Sequence, residues 1–274
     1  MYKELYVEGN TAAEAVDRLK KIIEVLRSED GCPWDKVQTY ESIKSCLIEE
    51  AYEVTEAVDN KDWDNLEEEL GDVLLQVVFY GDLGEEDGKF DLKSIANREC
   101  DKMLYRHPHV FSNNKAESID IALEKWENMK KAEKGTTVTE SMKRIPKSLP
   151  ALRKSVKIQK KAKEVGFDWD DVEPAFLKLK EETDELIEAY NGGDFERRRD
   201  ELGDVIFAAT NIARFLKVDP EDALNFASQR FIKRFNFIED SARQEGLTME
   251  SMSLDEMDKL WEEAKKKELK GTLL

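Results

Sequence analysis

Five acidic residues recur at one constant spacing in the two halves of the chain, and this limits the fold more than any other feature. Glu49, Glu50, Glu53, Glu69 and Asp72 are answered 132 positions later by Glu181, Glu182, Glu185, Glu201 and Asp204. The surrounding sequence repeats with them. EEAYE at 49–53 returns as EETDE at 181–185, and EELGDV at 68–73 returns as DELGDV at 200–205. Trp63 and Phe195, inside the intervening turn, keep the same offset. GCPWD at 31–35 returns as GFDWD at 166–170, and KWENMKK at 125–131 as LWEEAKK at 260–266, both 135 apart. Lys102 and Arg106 match Arg230 and Arg234 at 128. A unit of roughly 105 residues that occurs twice is a duplicated domain, not a solenoid of short repeats.

The periodicity within each unit is helical. Thr11 with Glu14 makes a capping-box pattern ahead of a helix that places Ala15, Leu19, Ile22, Ile23 and Leu26 on one face. Further helices are predicted over about 41–58, 64–80, 92–105 and 116–134. No period-2 strand bounded by turns is found. GTTVTESMKRIPKSLP, between Gly135 and Pro150, has two prolines and no apolar stripe and reads as a linker. The expected architecture is all-α: a helical-bundle unit at 1–135, a linker at 136–150 and a second helical-bundle unit at 151–274.

Charge narrows the functions. With 61 Asp+Glu against 43 Lys+Arg, the net charge is −18. Such a chain repels nucleic acid unless it builds a local basic groove, so no stable nucleic-acid binding is expected. An anionic small substrate stays possible if cations mediate the contact. No stretch approaches 18 uncharged apolar residues, so no membrane span is expected. Cys32, Cys46 and Cys100 form no CxxC pair, which fits a reducing cytoplasm. The first residues lack the apolar core of a secretion signal.

In each unit one helix carries E-E-x-x-E and the next E-x-x-D. Residues at i and i+3 share a helix face, so Glu50 with Glu53 and Glu69 with Asp72 each point one way. The short connection near 60–62 makes the helices antiparallel neighbours, which gathers four carboxylates between them. Two carboxylates about 4 Å apart repel by roughly 4 kcal/mol at an effective dielectric of 20. A hard divalent cation relieves this, and an all-oxygen donor set selects Mg²⁺ or Mn²⁺. The bland alternative is a solvated acidic face. Apolar neighbours (Leu47, Ile48, Val54; Leu70, Val73, Leu74) and recurrence in register argue against it.

The segments GCPWDKVQT, EEAYEV…EELGDVLLQVVF, RHPHVF, KIQKKAKEVGFDW, EETDEL…DELGDVIFAATNIARFL and RFIKRF resemble the MazG family of nucleoside triphosphate pyrophosphohydrolases, over almost the whole chain. The resemblance implies cleavage of NTP or dNTP between the α- and β-phosphates, giving NMP and pyrophosphate with Mg²⁺. It implies that Glu50, Glu53, Glu69 and Asp72, and Glu182, Glu185, Glu201 and Asp204, are metal ligands. Glu49 and Glu181 lie one step aside on the helix, to position or deprotonate the attacking water or to support the ligands. Lys178, Lys102, Arg106, Arg230 and Arg234 are implied phosphate contacts, and Trp261 and Trp126 implied nucleobase contacts. Trp34 and Trp169 are read mainly as packing residues, and His107 and His109 as structural.

Two rival readings compete with this one. A di-iron bundle needs Glu-x-x-His on inward helices, and neither His follows such a Glu. A nucleotide-binding regulatory or scaffold protein with a weakened site is the alternative that remains. No GxxxxGK[ST] phosphate loop occurs. The units differ around their carboxylates: Lys178, Asn211 and Arg214 in the second stand where the first has Cys46, Phe79 and Asp82. Asn211 and Arg214, two turns beyond Asp204, are expected within reach of a ligand's sugar or base, and Asp82 is expected to repel a polyphosphate. The runs VLLQVVF and VIFAA are apolar nearly all round, which predicts burial on every side and hence a homodimer.

Overall fold

The computed structural model describes residues 2–111, 118, 121 and 137–269. The chain forms two compact units, Met1–Lys134 and Gly135–Leu274. The described residues are helical, with no strand among them. Unit one holds α1 (Ala12–Arg27), α2 (Pro33–Lys36), α3 (Lys44–Asn60), α4 (Trp63–Glu86), α5 (Leu92–Arg106) and α6 (Pro108–Phe111). Unit two holds α7 (Val138–Lys143), α8 (Ala151–Lys163), α9 (Glu173–Gly192), α10 (Phe195–Phe215), α11 (Pro220–Gln244) and α12 (Leu254–Leu269). Of the helix expected at 116–134 only Ser118 and Ile121 are among the described residues, and Trp126 lies outside them.

Each unit is organised around one helical hairpin, α3/α4 and α9/α10, with α1 or α8 packed on its second helix. The turns are built alike. Lys61 and Gly193 end the first helix in the left-handed region, at φ 56° and 77°. The next residue caps the second helix: Asp62 accepts from the Asn65 amide, and Asp194 from the Glu196 and Arg197 amides. Equal turns hold both carboxylate pairs in one register. Glycine adopts the left-handed conformation freely, whereas lysine meets a Cβ clash there, so the second turn is the less strained.

Two local features depart from the sequence reading. α4 runs past Tyr80 to Glu86, through Gly81 and Gly84. These glycines sit where α4 meets the following segment. A Cβ on Gly84 would lie 2.4 Å from the Phe90 ring, and one on Gly81 3.2 Å from Leu92. Their place is set by close approach, which a periodicity count reads as a helix end. Within 136–150, α7 is closed by a reciprocal cap: the Glu140 amide donates to Thr137 Oγ1 at 3.2 Å, and Glu140 Oε2 accepts from the Thr137 amide at 3.0 Å. α7 packs on α8.

The core of unit one is Ile23, Ile43, Val78, Phe79 and Leu83, with Leu19, Leu26, Tyr40 and Leu92 against it. Unit two buries smaller side chains at its centre, Ala175, Ala189, Ala208 and Ala242 with Ile212 and Ile238. The difference in volume decides what each unit can accommodate.

Candidate metal and nucleotide site

On α9 and α10 the carboxylates converge as two linked sets. Oxygens of Glu181, Glu182 and Glu185 lie within 4.8 Å of one another, as do those of Glu182, Glu201 and Asp204. Glu182 belongs to both sets and is buried, at 7% exposure. Burial of one carboxylate among four others is costly unless cations answer it. Lys178 answers part: its Nζ lies 2.6 Å from Glu181 Oε1 and 2.7 Å from Glu182 Oε1. These two contacts raise the lysine's pKa and keep it charged. Arg197 reaches Glu201 at 3.4 Å. The Glu185 carboxyl is still pushed above the ordinary range, by lost hydration and then by the charge of Glu182.

Unit one brings Glu50, Glu53 and Glu69 together within the same 4.8 Å limit. Asp72 falls outside that set, yet its charge bears on Glu50 and Glu69. Both of those carboxyls are pushed up, by lost hydration first. The next cause is Asp72 for Glu50 and Glu53 for Glu69. Glu49 lies outside the set. Cys46 and Asn65 hold the positions of Lys178 and Arg197. An all-oxygen donor set with raised carboxyl pKa values is chemically suited to a hard divalent cation in both units.

The second unit adds a cavity of about 640 Å³ beside its carboxylates. Glu182, Asp204 and Lys178 line it together with Gln159, Asn211 and Arg214. Trp169, read as a packing residue, is 40% exposed and lines this cavity; Trp34 is 61% exposed. Arg214 is held rather than free. Its Nη1 and Nη2 donate to Asp168 at 2.9 and 2.5 Å, and its Nε donates to Asn211 Oδ1 at 2.9 Å.

In unit one the matching positions carry other side chains. Phe79, at the position of Asn211, is buried, and the Arg27 guanidinium lies 5.0 Å above its ring. Asp82, at the position of Arg214, is also buried and paired with Arg27 at 2.6 Å. The expectation that Asp82 repels a polyphosphate is therefore corrected: its charge is neutralised inside the core.

The other basic and aromatic residues singled out stand apart from this cavity. Arg230 is exposed on α11. Arg234 pairs with Glu268 at 2.6 Å and lies 5.5 Å over the Trp261 ring, which packs on Phe231. Lys102 pairs with Glu99 and lines a separate groove with Lys89, Arg98 and Tyr105. Arg106 ends α5. None of these lines the cavity of unit two. Sequence reasoning missed Arg197 and Gln159. The i to i+4 spacing of Arg197 and Glu201 was readable. The role of Gln159 was not, because it depends on contacts 48 and 51 residues away.

The model of the MazG nucleotide pyrophosphohydrolase domain matches the chain twice, at residues 38–111 and 170–237. A nucleoside triphosphate pyrophosphohydrolase/pyrophosphatase MazG of Thermotoga maritima is 42% identical over 249 residues, covering 91% of this chain and 95% of the relative. A nucleoside triphosphate pyrophosphohydrolase of Escherichia coli K12 is 41% identical over 258 residues, covering 93% and 98%. The protein YabN of Bacillus subtilis is 46% identical over 267 residues, 97% of this chain but 53% of YabN. Both matched segments span a carboxylate hairpin, and the matches run nearly end to end: the chain belongs to the MazG nucleotide pyrophosphohydrolase family.

Proposed function

We propose that the chain hydrolyses nucleoside and deoxynucleoside triphosphates between the α- and β-phosphates, releasing NMP and pyrophosphate, with Mg²⁺ (or Mn²⁺) and with several bases accepted. One observation carries this most: in unit two, carboxylates of both linked sets and the ammonium of Lys178 open onto one cavity of about 640 Å³. Ligand cavities run to about 300–1,000 Å³, so a nucleotide fits the scale. Glu182, Glu185, Glu201 and Asp204 would hold the cation, as Glu50, Glu53, Glu69 and Asp72 would in unit one. Bound there, Mg²⁺ would neutralise triphosphate charge and polarise the phosphoryl oxygens.

The chain's own groups do the rest. Lys178 offers the triphosphate a charge-assisted contact while staying tied to Glu181 and Glu182. The Glu181 carboxylate is exposed beside the set and stands to take the proton lost by the attacking water. Water oxygen then bonds to phosphorus, and the pyrophosphate oxygen departs with its electron pair. Arg230, Arg234 and Trp261, and in unit one Lys102, Arg106 and Trp126, remain the residues that the family resemblance implies for phosphate and base.

A homodimer has support in the exposed apolar side chains of the hairpins. Ile48, Leu70 and Leu74 are exposed on α3/α4, and Leu177, Ile187, Leu202 and Ile206 on α9/α10. Apolar faces of this extent mark interaction surfaces. No helix among the described residues is long and apolar enough to cross a membrane. The three described cysteines are free, which suits the reducing cytoplasm, where the nucleotides are found.

The test is the product pair. Each NTP and dNTP is incubated with Mg²⁺, and pyrophosphate and orthophosphate are assayed. NMP with pyrophosphate is expected; NDP with orthophosphate would refute the reading.

A further inference from the structure

The stretch from the end of α7 to the end of α8 runs against the charge of the chain. From Lys143 to Lys163 there are nine Lys and Arg and no Asp or Glu, in a protein of net charge −18. Unit one has no counterpart. Its matching stretch, 135 positions earlier at 8–28, holds four basic and four acidic residues. There Arg27 is committed to Asp82 and Glu86, and Lys20 to Glu24 and Glu85. In unit two the ion pairs of the stretch are made by Arg153, Lys161 and Lys163. Lys143, Arg144, Lys147, Lys157 and Lys160 are exposed and make no ion pair among the described residues. None of the large apolar side chains of this stretch is exposed, so charge is what the surface offers.

The same stretch forms part of the wall of the unit-two cavity. Met142 of α7 and Ile158, Gln159 and Ala162 of α8 line it. Lys143, Lys157 and Lys160 stand next to these residues in sequence, on the solvent side. A helix is about 10–12 Å across, so the cations of α8 lie about that far from the cavity. The Debye length is about 30 Å at 0.01 M salt and about 10 Å at 0.1 M. Their field therefore covers the cavity at low salt and fades as salt rises. We propose that the basic stretch 143–163 draws the anionic triphosphate to the cavity of unit two, through its field and not through contact. The inference rests on the nucleotide reading above and goes further, because it assigns capture to residues outside the site. It also fixes a sign. Net charge alone would make the protein repel a triphosphate, so that screening by salt would help capture. A local positive field makes salt hinder it.

The test is the salt dependence of kcat/KM for ATP, from about 20 to about 300 mM KCl, with Mg²⁺ saturating throughout. Wild type should lose about 10-fold over this range while kcat holds. Lys147→Gln/Lys157→Gln/Lys160→Gln should lie about 3- to 10-fold below wild type at the low end, meet it at the high end and keep its kcat. Lys3→Gln/Lys21→Gln/Lys61→Gln removes the same charge from unit one and should follow wild type. A wild-type kcat/KM that is flat or rises with salt overturns the proposal, even if a variant does not fold. So does a unit-one variant that loses as much as the unit-two variant, because net charge would then be the cause. Stopped-flow association of the fluorescent analogue mant-ATP gives the same comparison without turnover. If no triphosphate yields pyrophosphate, the hydrolytic reading falls and these association rates still decide on capture. Mant-ATP that does not bind, or whose association salt does not slow, overturns it.

Discussion

Arg27 and Asp82 form a buried ion pair, Nε to Oδ2 at 2.6 Å, at the place in unit one where unit two pairs Arg214 with Asp168. The polarity is reversed: the second hairpin helix gives the acid in one unit and the base in the other. The Arg27 side chain is only 4% exposed and also donates to the carbonyl of Asp35 and to Glu86. Removing one partner of a buried pair costs about 3–5 kcal/mol, because a desolvated charge is left behind. Glu86 keeps one contact, so Asp82→Ala should fall near the lower end. Arg27→Leu/Asp82→Ala should recover much of the loss. Urea unfolding of the two variants measures this; a single variant as stable as wild type would show that the pair holds nothing together.

The clustered carboxylates lead to a second expectation. Those of both hairpins repel in the absence of a cation, and Glu50, Glu69 and Glu185 are all pushed above the ordinary carboxylate range. A cation that binds only the folded state stabilises it by about 2.7 kcal/mol at 100 times its dissociation constant. The melting midpoint should rise from EDTA to millimolar MgCl₂. The rise should shrink in Glu182→Gln, which touches both sets of unit two. No rise in wild type would remove the metal site from both units.

What the sequence disclosed and what it hid follow from the range of the interactions. The carboxylate sets were legible because i, i+3 spacing on two adjacent helices fixes them locally. The hairpin turns were legible for the same reason, since Asp62 and Asp194 cap over two or three residues. The cavity was not, because it depends on side-chain volume at positions far apart. Asn211 and Gln159 line it, while unit one has buried Phe79 at the position of Asn211 and buried Arg27 over its ring. The fate of Asp82 was hidden too: the sequence showed an acid near the site, and only packing shows Arg27 upon it.

A pH dependence should follow from Asp168. Burial pushes its carboxyl up, but the Arg214 bonds and charge and the nearby Lys163 outweigh this and hold it below the ordinary range. A depressed carboxyl contributes stability above its unfolded value, about 3.9, and loses it as pH falls through the lower folded value. Wild type should therefore exceed Asp168→Asn in stability at pH 7, and the gap should narrow by about pH 3. Denaturant midpoints at the two pH values give the comparison. A gap that stays constant would mean that Asp168 acts through packing, not charge.

Assembly is open to direct measurement. Ile48, Leu70 and Leu74, with Leu177, Leu202 and Ile206, leave apolar area exposed on both hairpins. A mass near twice 31.7 kDa is expected by light scattering at micromolar concentration. Leu202→Lys with Ile206→Lys should shift it toward the monomer. A wild-type monomer under these conditions contradicts the dimer.

The last expectation concerns the division of labour between the units. Both hold carboxylates suited to a cation, but only unit two pairs them with Lys178 and Arg197. Unit one has Cys46 and Asn65 there, and buried Phe79, with Arg27 over its ring, stands at the position of Asn211. A charge-assisted contact is worth roughly 1.5–3 kcal/mol, so the lack of Lys178's counterpart alone costs about 10- to 100-fold in triphosphate handling. Glu185→Ala or Asp204→Ala should therefore abolish most pyrophosphate release, and Glu53→Ala or Asp72→Ala should leave most of it. Lys178→Met should fall between, with its loss mainly in kcat/KM. Equal losses in the unit-one and unit-two variants, with every variant folded and of wild-type mass, would mean that the two units share the work.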